Sequence, residues 1–396
     1  MKLTKHKLGE LLDVTRGTSL SGEYFATQGV YVDYQNNCFK TNTSKDNLYY
    51  NGSFNPEFLM TEGDIITPLT EQAVGLLGSA AWVPESGKYI QSQDVAKITP
   101  NEKLLDKKFC YYLISSKVVK QQLSAAAQQT KIRHTSPDKI KDCTVWIPSL
   151  EEQTKVGQFL YDIDSKIALN RQINDNLEAM ARQLYDYWFV QFDFPNEEGK
   201  PYKSSGGAMV WNDNLKREIP QGWSTLPISA ILDKYPTTKR YETKEYLSQG
   251  KYPIIDQGDT YIVGYTNEDD NLLTRHPAVL FGDHSTKVKF LDFDFARGAD
   301  GTQILYSSND AVSQYYLYLA VRTLQIPNPG YSRHFKYLKE LPIVIPSLNI
   351  AIKFANIVKL LFKKWTNNIF NNIALTKQRN ELLPLLMNGQ ASVNSD

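Results

Sequence analysis

The chain has 396 residues, 41% of them hydrophobic, and a formal net charge of +1. That length fits two or three domains, and near-neutrality excludes a bulk electrostatic pull toward nucleic acid or membrane, so any such site has to be a local patch. The three cysteines, Cys38, Cys110 and Cys143, are odd in number, widely spaced and without a C-x-x-C, which argues against a disulfide framework or a structural zinc site and fits a reducing cytoplasm.

The opening MKLTKHKLGELLDV carries no apolar run of signal-peptide length, and no stretch reaches the ~20 apolar residues of a membrane span. A soluble cytoplasmic chain without membrane contact is expected. Short runs rich in Tyr, Val and Ile come next, such as GVYVDYQ (29–35) and GDIITPL (63–69), and predict strands. KKFCYYLISSKVVKQQLS (107–124) predicts helix. At 147–150 stands IPSL, and after it a long heptad pattern runs from 151 to 190. The Pro/Gly/Ser-rich FPNEEGKPYKSSGGAM (194–209) reads as a linker. A second mixed stretch then begins with TLPISAILDK (225–234), which rhymes with KLGELLDV (7–14). It holds KYPIIDQGDTYIVGYTN (251–267), AVLFGDHSTKVKFLDFDF (278–295) and the helical AVSQYYLYLAVRTL (311–324). IPSL returns at 345–348, and a second heptad pattern comes after it.

The two heptad patterns stay in phase at an offset of 198 residues. Val156, Leu160, Ile163, Ile167, Asn170 and Asn174 fall on Phe354, Val358, Leu361, Trp365, Asn368 and Asn372, and the match continues to Trp188 and Leu386. Alternating steps of four and three define an a/d seam. Pro148 and Pro346 end the preceding segment, and Ser149 and Ser347 are N-cap candidates. Glu152 would complete a capping box with Ser149. Pro384 predicts a kink or an end near 383. About 40 residues of helix measure roughly 60 Å. The first helical region and linker (151–210) hold 6 basic and 10 acidic residues, the second region (349–396) 6 basic and 2 acidic. Opposite charge suits pairing of the two helices. Buried asparagines in mid-seam could meet each other and set an antiparallel register. The alternative is that each stripe simply faces its own domain.

The fold expected is therefore α+β: two mixed α/β globes and two long helices that form an antiparallel intramolecular coiled coil, duplicated about a pseudo-two-fold. The segments are 1–148, 149–192, 193–220, 221–346 and 347–390. Two-fold-related globes on a spacer of fixed length suit DNA, whose helical repeat is ~34–36 Å.

IPSLEEQTKVGQFLYDIDSKI, RQINDNLEAMARQLYDYWF, GKYPIIDQGDTYIVGYTN, LFGDHSTKVKF, LPIVIPSL and QRNELLPLLMNG together resemble the specificity (S) subunit of type I restriction–modification systems, over essentially the whole chain. The resemblance implies two target-recognition domains, helical spacers at 149–192 and 347–390, and a bipartite asymmetric double-stranded DNA target read for phage defence. It implies two methyltransferase (M) subunits and restriction (R) subunits as partners. S-adenosylmethionine, ATP and magnesium would belong to those partners, with no cofactor and no catalysis in this chain. One departure stands out: Glu152-Gln153 is replaced by Ile350-Ala351 in the second copy.

Motifs of independent chemistry are poor. Asn55-Pro56-Glu57-Phe58 has Glu where an adenine methyltransferase tetrad has Pro. Asp233 with Glu242-Thr243-Lys244 is only a loose nuclease match. Asp283-His284-Ser285 are too close in sequence for a triad. The histidines show no H-x-x-x-H, so no metal site is expected.

Basic and amide side chains near the helix starts are the DNA-contact candidates. In the first globe these are Arg16, Thr18, Gln129, Lys131, Arg133 and His134. In the second they are Gln257, His284, Lys287, Lys289, Arg297, Arg333, His334 and Lys336. Lys287 and Lys289 alternate and so share a face. Solvated loops are the plain alternative for all of them. A duplicated coiled-coil scaffold without sequence-specific DNA binding is the alternative for the whole chain.

Overall fold

The computed structural model describes residues 2–33, 48–71, 75–126, 133–233, 238–327 and 333–393. The chain divides into two compact units, Met1–Ala168 with Asn372–Asp396, and Leu169–Asn371. Each long helix contributes one part to each unit.

In the first unit the opening strand Thr4–Lys7 pairs antiparallel with Thr144–Ile147, the strand that runs into the first IPSL. Entry and exit of the domain are thus side by side. A one-turn helix, Leu8–Leu11, buries Leu8 and Leu11. Strands Leu12–Arg16, Val95–Pro100, Ile65–Pro68 and Ala81–Trp82 form one sheet in that order. A second sheet orders Phe25–Ala26, Leu48–Tyr50, Tyr31–Asp33 and Tyr89–Ile90, the last two parallel. Helices Lys107–Ile114 and Lys117–Ala126 bury Phe109, Cys110, Leu113, Val119 and Leu123. Cys110 and Cys143 are buried free thiols.

The second unit repeats this plan. Ser224–Pro227 pairs antiparallel with Pro342–Ile345, the strand into the second IPSL, and is followed by the short helix Ile228–Ile231. The fully buried strand Ala278–Gly282 lies between Val288–Leu291 and Thr302–Leu305. Tyr252–Ile255 and Phe295–Gly298 are parallel neighbours, as Tyr31–Asp33 and Tyr89–Ile90 are in the first unit. Helix Gln314–Thr323 buries seven consecutive residues from Tyr315 to Val321.

The first long helix runs Leu150–Tyr185 and closes in a wider turn, Asp186–Val190; the second runs Leu348–Met387. Both are antiparallel partners within each unit. In the second unit Asn368 Nδ2 donates to Asn174 Oδ1 at 2.8 Å, Asn174 Nδ2 to the Trp365 carbonyl at 3.0 Å, and Phe189 packs edge-on to Phe354. In the first unit Asn372 donates to the Ile167 carbonyl at 3.3 Å and Arg379 pairs with Asp164 at 2.6 Å. Ile163, Ile167 and Asn170 are buried, and Leu361 and Trp365 are half-buried against the second unit's core. The seam also faces its domains, so the two alternatives of packing coexist. Val156 and Leu160 join the first unit's core with Leu386 and Met387, and Tyr185 and Trp188 join the second's with Phe354 and Val358.

Three local expectations are corrected. The carbonyls of Ser149 and Ser347 do accept the first helical bonds, from Gln153 and Ala351. The capping box does not form, because Glu152 turns toward Lys155 (3.9 Å) and its Oε2 has no partner. Gln153 anchors the helix instead: its Oε1 accepts from Asp106 N, and its Nε2 donates to the Leu104 and Pro148 carbonyls. Ile350 and Ala351 replace that polar clamp with buried apolar contact. Pro384 does not end the second helix, which continues to Met387. Segment 193–220 is folded rather than loose. Phe194 stacks between Tyr202 and Trp223, Asp193 holds Ser204, and Met209–Asn212 pairs with Arg217–Pro220 as a hairpin. Its aromatic residues outweigh the Pro/Gly/Ser composition.

Replacing Asn368 by Leu leaves Asn174 Oδ1 buried without a donor, and should lower unfolding stability by roughly 1–3 kcal/mol. Asn174→Leu/Asn368→Leu together should recover most of that loss, a non-additivity that denaturant titration of the four proteins measures.

Candidate nucleic-acid interface

In both units the central buried strand runs into a turn that the segment before the exit strand holds from the other side. In the first, Leu69 O accepts from Thr135 N at 2.8 Å. In the second, Asp283 O accepts from His334 N at 2.8 Å. The equivalent residues are therefore Thr135 and His334, and the Arg-His echo at 133–134 and 333–334 is out of register. Its members have exchanged places: Arg133 is drawn inward and His134 is exposed, whereas Arg333 is exposed and His334 is buried.

The first turn is organised by a buried carboxylate. Glu71 Oε2 accepts from the amides of Gly75, Leu76 and Leu77 at 3.0, 2.7 and 2.9 Å. Its Oε1 faces Arg133 at 3.0 Å, and Arg133 also donates to Ser124 Oγ at 2.9 Å. Arg133 is thus spent inside the domain and is removed from the base-reading candidates. Arg16 is exposed at a strand end, with Nε on the Gln93 carbonyl, and Thr18 is half-buried beside Ser92. Gln129 and Lys131 lie outside the described residues.

The second turn, Gly282-Asp283-His284-Ser285-Thr286-Lys287, is locked on three sides. The Asp283 carboxylate accepts from Phe335 N at 2.8 Å, capping the short helix Phe335–Glu340. Ser285 Oγ donates to the Gln257 carbonyl at 2.6 Å. Gln257 Oε1 accepts from His284 N, and its Nε2 donates to the Asp300 carbonyl. Gln257 is therefore a staple between loops. The Asp283-His284-Ser285 side chains point to three different partners or to solvent, and make no triad.

Lys287 and Lys289 do share a face, but the 256–260 loop covers it. Lys287 reaches Asp259 at 2.7 Å and stays exposed, whereas Lys289 is 7% exposed and donates to the Asp256 and Thr260 carbonyls at 2.8 and 2.6 Å. Burial pushes Lys289 down to about 8. Arg297 is also buried and donates to the Thr238 carbonyl. Lys289, Arg297 and His334 hold loops together and are corrected from contact candidates to structural residues. His284, Lys287, Arg333 and Lys336 remain on the surface.

Two residues of this surface are not legible in the sequence. Arg240, at the end of a short strand, and Asp300, in the Gly298–Gly301 turn, pair with each other, and Asp300 also faces Arg333 at 3.7 Å. GADG announces a turn, but no periodicity brings Arg240 to it.

Among the described residues, no group of three or more His, Cys, Asp and Glu is placed to hold a metal ion. The residues of the loose nuclease match make other contacts: Asp233 pairs with Arg275, and Glu242 with Lys244. No helix of the described residues is long and apolar enough to cross a membrane.

Arg133→Met should destabilise the first unit by about 3–5 kcal/mol, since Glu71 loses the cation that faces it in a buried site. Pairing it with Glu71→Gln should restore part of that loss, and thermal unfolding of the two variants checks it.

Residues 2–179 match the family described as type I restriction modification DNA specificity domain. The MjaIX specificity subunit of Methanocaldococcus jannaschii is 25% identical over 326 residues, 76% of this chain and 73% of that protein. The EcoR124I/EcoR124II specificity subunit of Escherichia coli is 32% identical over 121 residues, 29% of each chain. The crystal structure of a type I restriction–modification S subunit from M. genitalium shares the fold, with a TM-score of 0.62, 18% identity and coverage of 98% of this chain and 96% of that one. The chain thus matches the type I restriction modification DNA specificity domain over residues 2–179, is similar in sequence to a specificity subunit over three quarters of its length, and shares the fold of an S subunit over nearly all of it.

Proposed function

We propose that this chain selects the DNA sequence for its complex, each recognition domain reading one half of a bipartite, asymmetric site. The observation that carries this is one frame built twice with different surfaces. The central strand, its turn and the bond from the exit segment recur in both units. The side chains on the turns do not: Glu71 and Arg133 close one inward, while His284, Lys287 and Arg333 stand out on the other. A shared frame with unlike polar surfaces suits two independent readers, because specificity resides in base-edge contacts and the frame carries none.

The two long helices set the gap between the half-sites and dock two methyltransferase subunits, with restriction subunits joining them. Support comes from the outer face of the second helix, where Leu348, Ile352 and Leu360 are exposed, Leu360 at 69%, among exposed Lys353, Lys359, Lys363 and Lys364. Apolar residues left in water on a helix mark interaction surface. The chain itself performs no chemistry in this reading. S-adenosylmethionine serves the methyltransferase, which takes the target adenine out of the stack, and ATP and magnesium serve the restriction subunit. Partner contacts supply much of the phosphate affinity, because the two globular stretches, 1–150 and 211–348, carry 32 basic against 31 acidic residues.

Reconstituted with its methyltransferase, the chain should methylate a split site, and exchanging residues 1–146 for the corresponding domain of another specificity subunit should alter one half only. Methylation sequencing reads the outcome. A change in both halves contradicts one domain per half, and no sequence preference at all favours a scaffold. Adding one heptad to both helices should lengthen the gap by about three base pairs, since seven residues add ~10 Å against 3.4 Å per base pair. An unchanged gap rejects the spacing role.

A further inference from the structure

Three arginines of the second unit each engage their own set of partners. Arg297 is buried on backbone carbonyls, Arg275 lies over Tyr306 and pairs with Asp233, and Arg217 lies over Phe192 and donates to the Val190 carbonyl. Arg240 and Arg333 differ in sharing a partner. Their guanidinium groups, 42% and 68% exposed, converge on the single carboxylate of Asp300, itself 64% exposed. Two guanidiniums carry ten N–H donors and one carboxylate about four acceptor sites, so Asp300 cannot take up most of the donors.

The carboxylate is placed by a rigid turn. Asp300 O accepts from Gln257 Nε2, and Ala299 N donates to the Tyr241 carbonyl and the Tyr246 hydroxyl. Gly298 and Gly301 are required there: a Cβ would lie 2.5 Å from the Tyr246 hydroxyl and 2.6 Å from Gln257 Nε2 and His284, and Gly301 has φ +83°. The same Gln257 fixes the His284 turn. Arginine fork, carboxylate and histidine loop are thereby tied to one frame.

We propose that Arg240 and Arg333, yoked by Asp300, read a G·C base pair in the half-site of the second domain, which rests on the reading that this domain contacts DNA. An arginine beside a carboxylate keeps N–H groups free for guanine O6 and N7, and the carboxylate accepts from the cytosine amino group. A clamp for phosphate would not set an exposed acid at its centre, because a carboxylate repels the backbone it has to approach.

The test uses the complex reconstituted with its methyltransferase subunit on a randomised DNA library. Arg333→Gln, Arg240→Gln, Arg333→Lys and Asp300→Asn are compared by methylation sequencing, with thermal unfolding as the check on folding. The glutamine variants should lose preference for G·C at one position of one half-site by roughly ten- to a hundred-fold. Arg333→Lys, which keeps charge and loses the fork, should relax that position with the salt dependence of binding retained. Uniform weakening on every sequence with a shallower salt slope overturns the proposal in favour of phosphate contact, as does an unchanged motif in folded variants. Stronger binding of Asp300→Asn to all sequences alike also overturns it. A wild-type complex that methylates no split motif refutes the underlying assignment of DNA recognition, and this proposal with it.

Discussion

The antiparallel register of the two long helices is the constraint on which both domains depend. Neither core is complete without a segment of each helix. The first takes Val156 and Leu160 from one and Leu386 and Met387 from the other; the second takes Tyr185 and Trp188 from one and Phe354 and Val358 from the other. A slip of the seam would withdraw apolar side chains from both cores at once. Asn174 and Asn368 prevent it, because a buried amide has few acceptable partners and only one register supplies them. Arg379 with Asp164 adds a charge pair to the same alignment.

Each domain is then organised around one strand that no solvent reaches. Ile65–Pro68 and Ala278–Gly282 are buried throughout, so the chain leaves them in a fixed direction. Each strand leads into a turn whose backbone groups need partners, and the protein supplies them with polar side chains turned inward: Glu71 in one case, Asp283 and Gln257 in the other. A rigid turn of this kind can present exposed side chains with little entropy left to lose on contact. The structural carboxylates and amides are thus what permits His284, Arg333 and Arg240 to stand in defined places.

The long helices and the doubled exit hinge were readable because both rest on local rules: a seven-residue period and a proline that stops. The repetition of the globular domains was barely readable. Its openings rhyme, but its interiors share little sequence, and the Arg-His at 133–134 and 333–334 is out of register by the bonds that hold those segments. Segment 193–220 misled in the opposite sense. Its Pro, Gly and Ser content suggested a loose linker, but Phe194, Tyr202 and Trp223 stack into a folded cap. Composition averages over such contacts and cannot register three rings that meet.

By itself the sequence determined the duplicated plan and the length and pairing of the helices. These come from periodicity and spacing, which survive in one dimension. Which cations face solvent was decided only by the tertiary structure. Lys287 and Lys289 are two residues apart on one face, yet one is exposed and the other is closed over by residues 256–260. Arg240, Asp300 and Arg333 are far apart in the chain and meet on one surface. A charged side chain reads bases or braces a loop according to what folds over it, and that neighbour is set by packing across the whole domain.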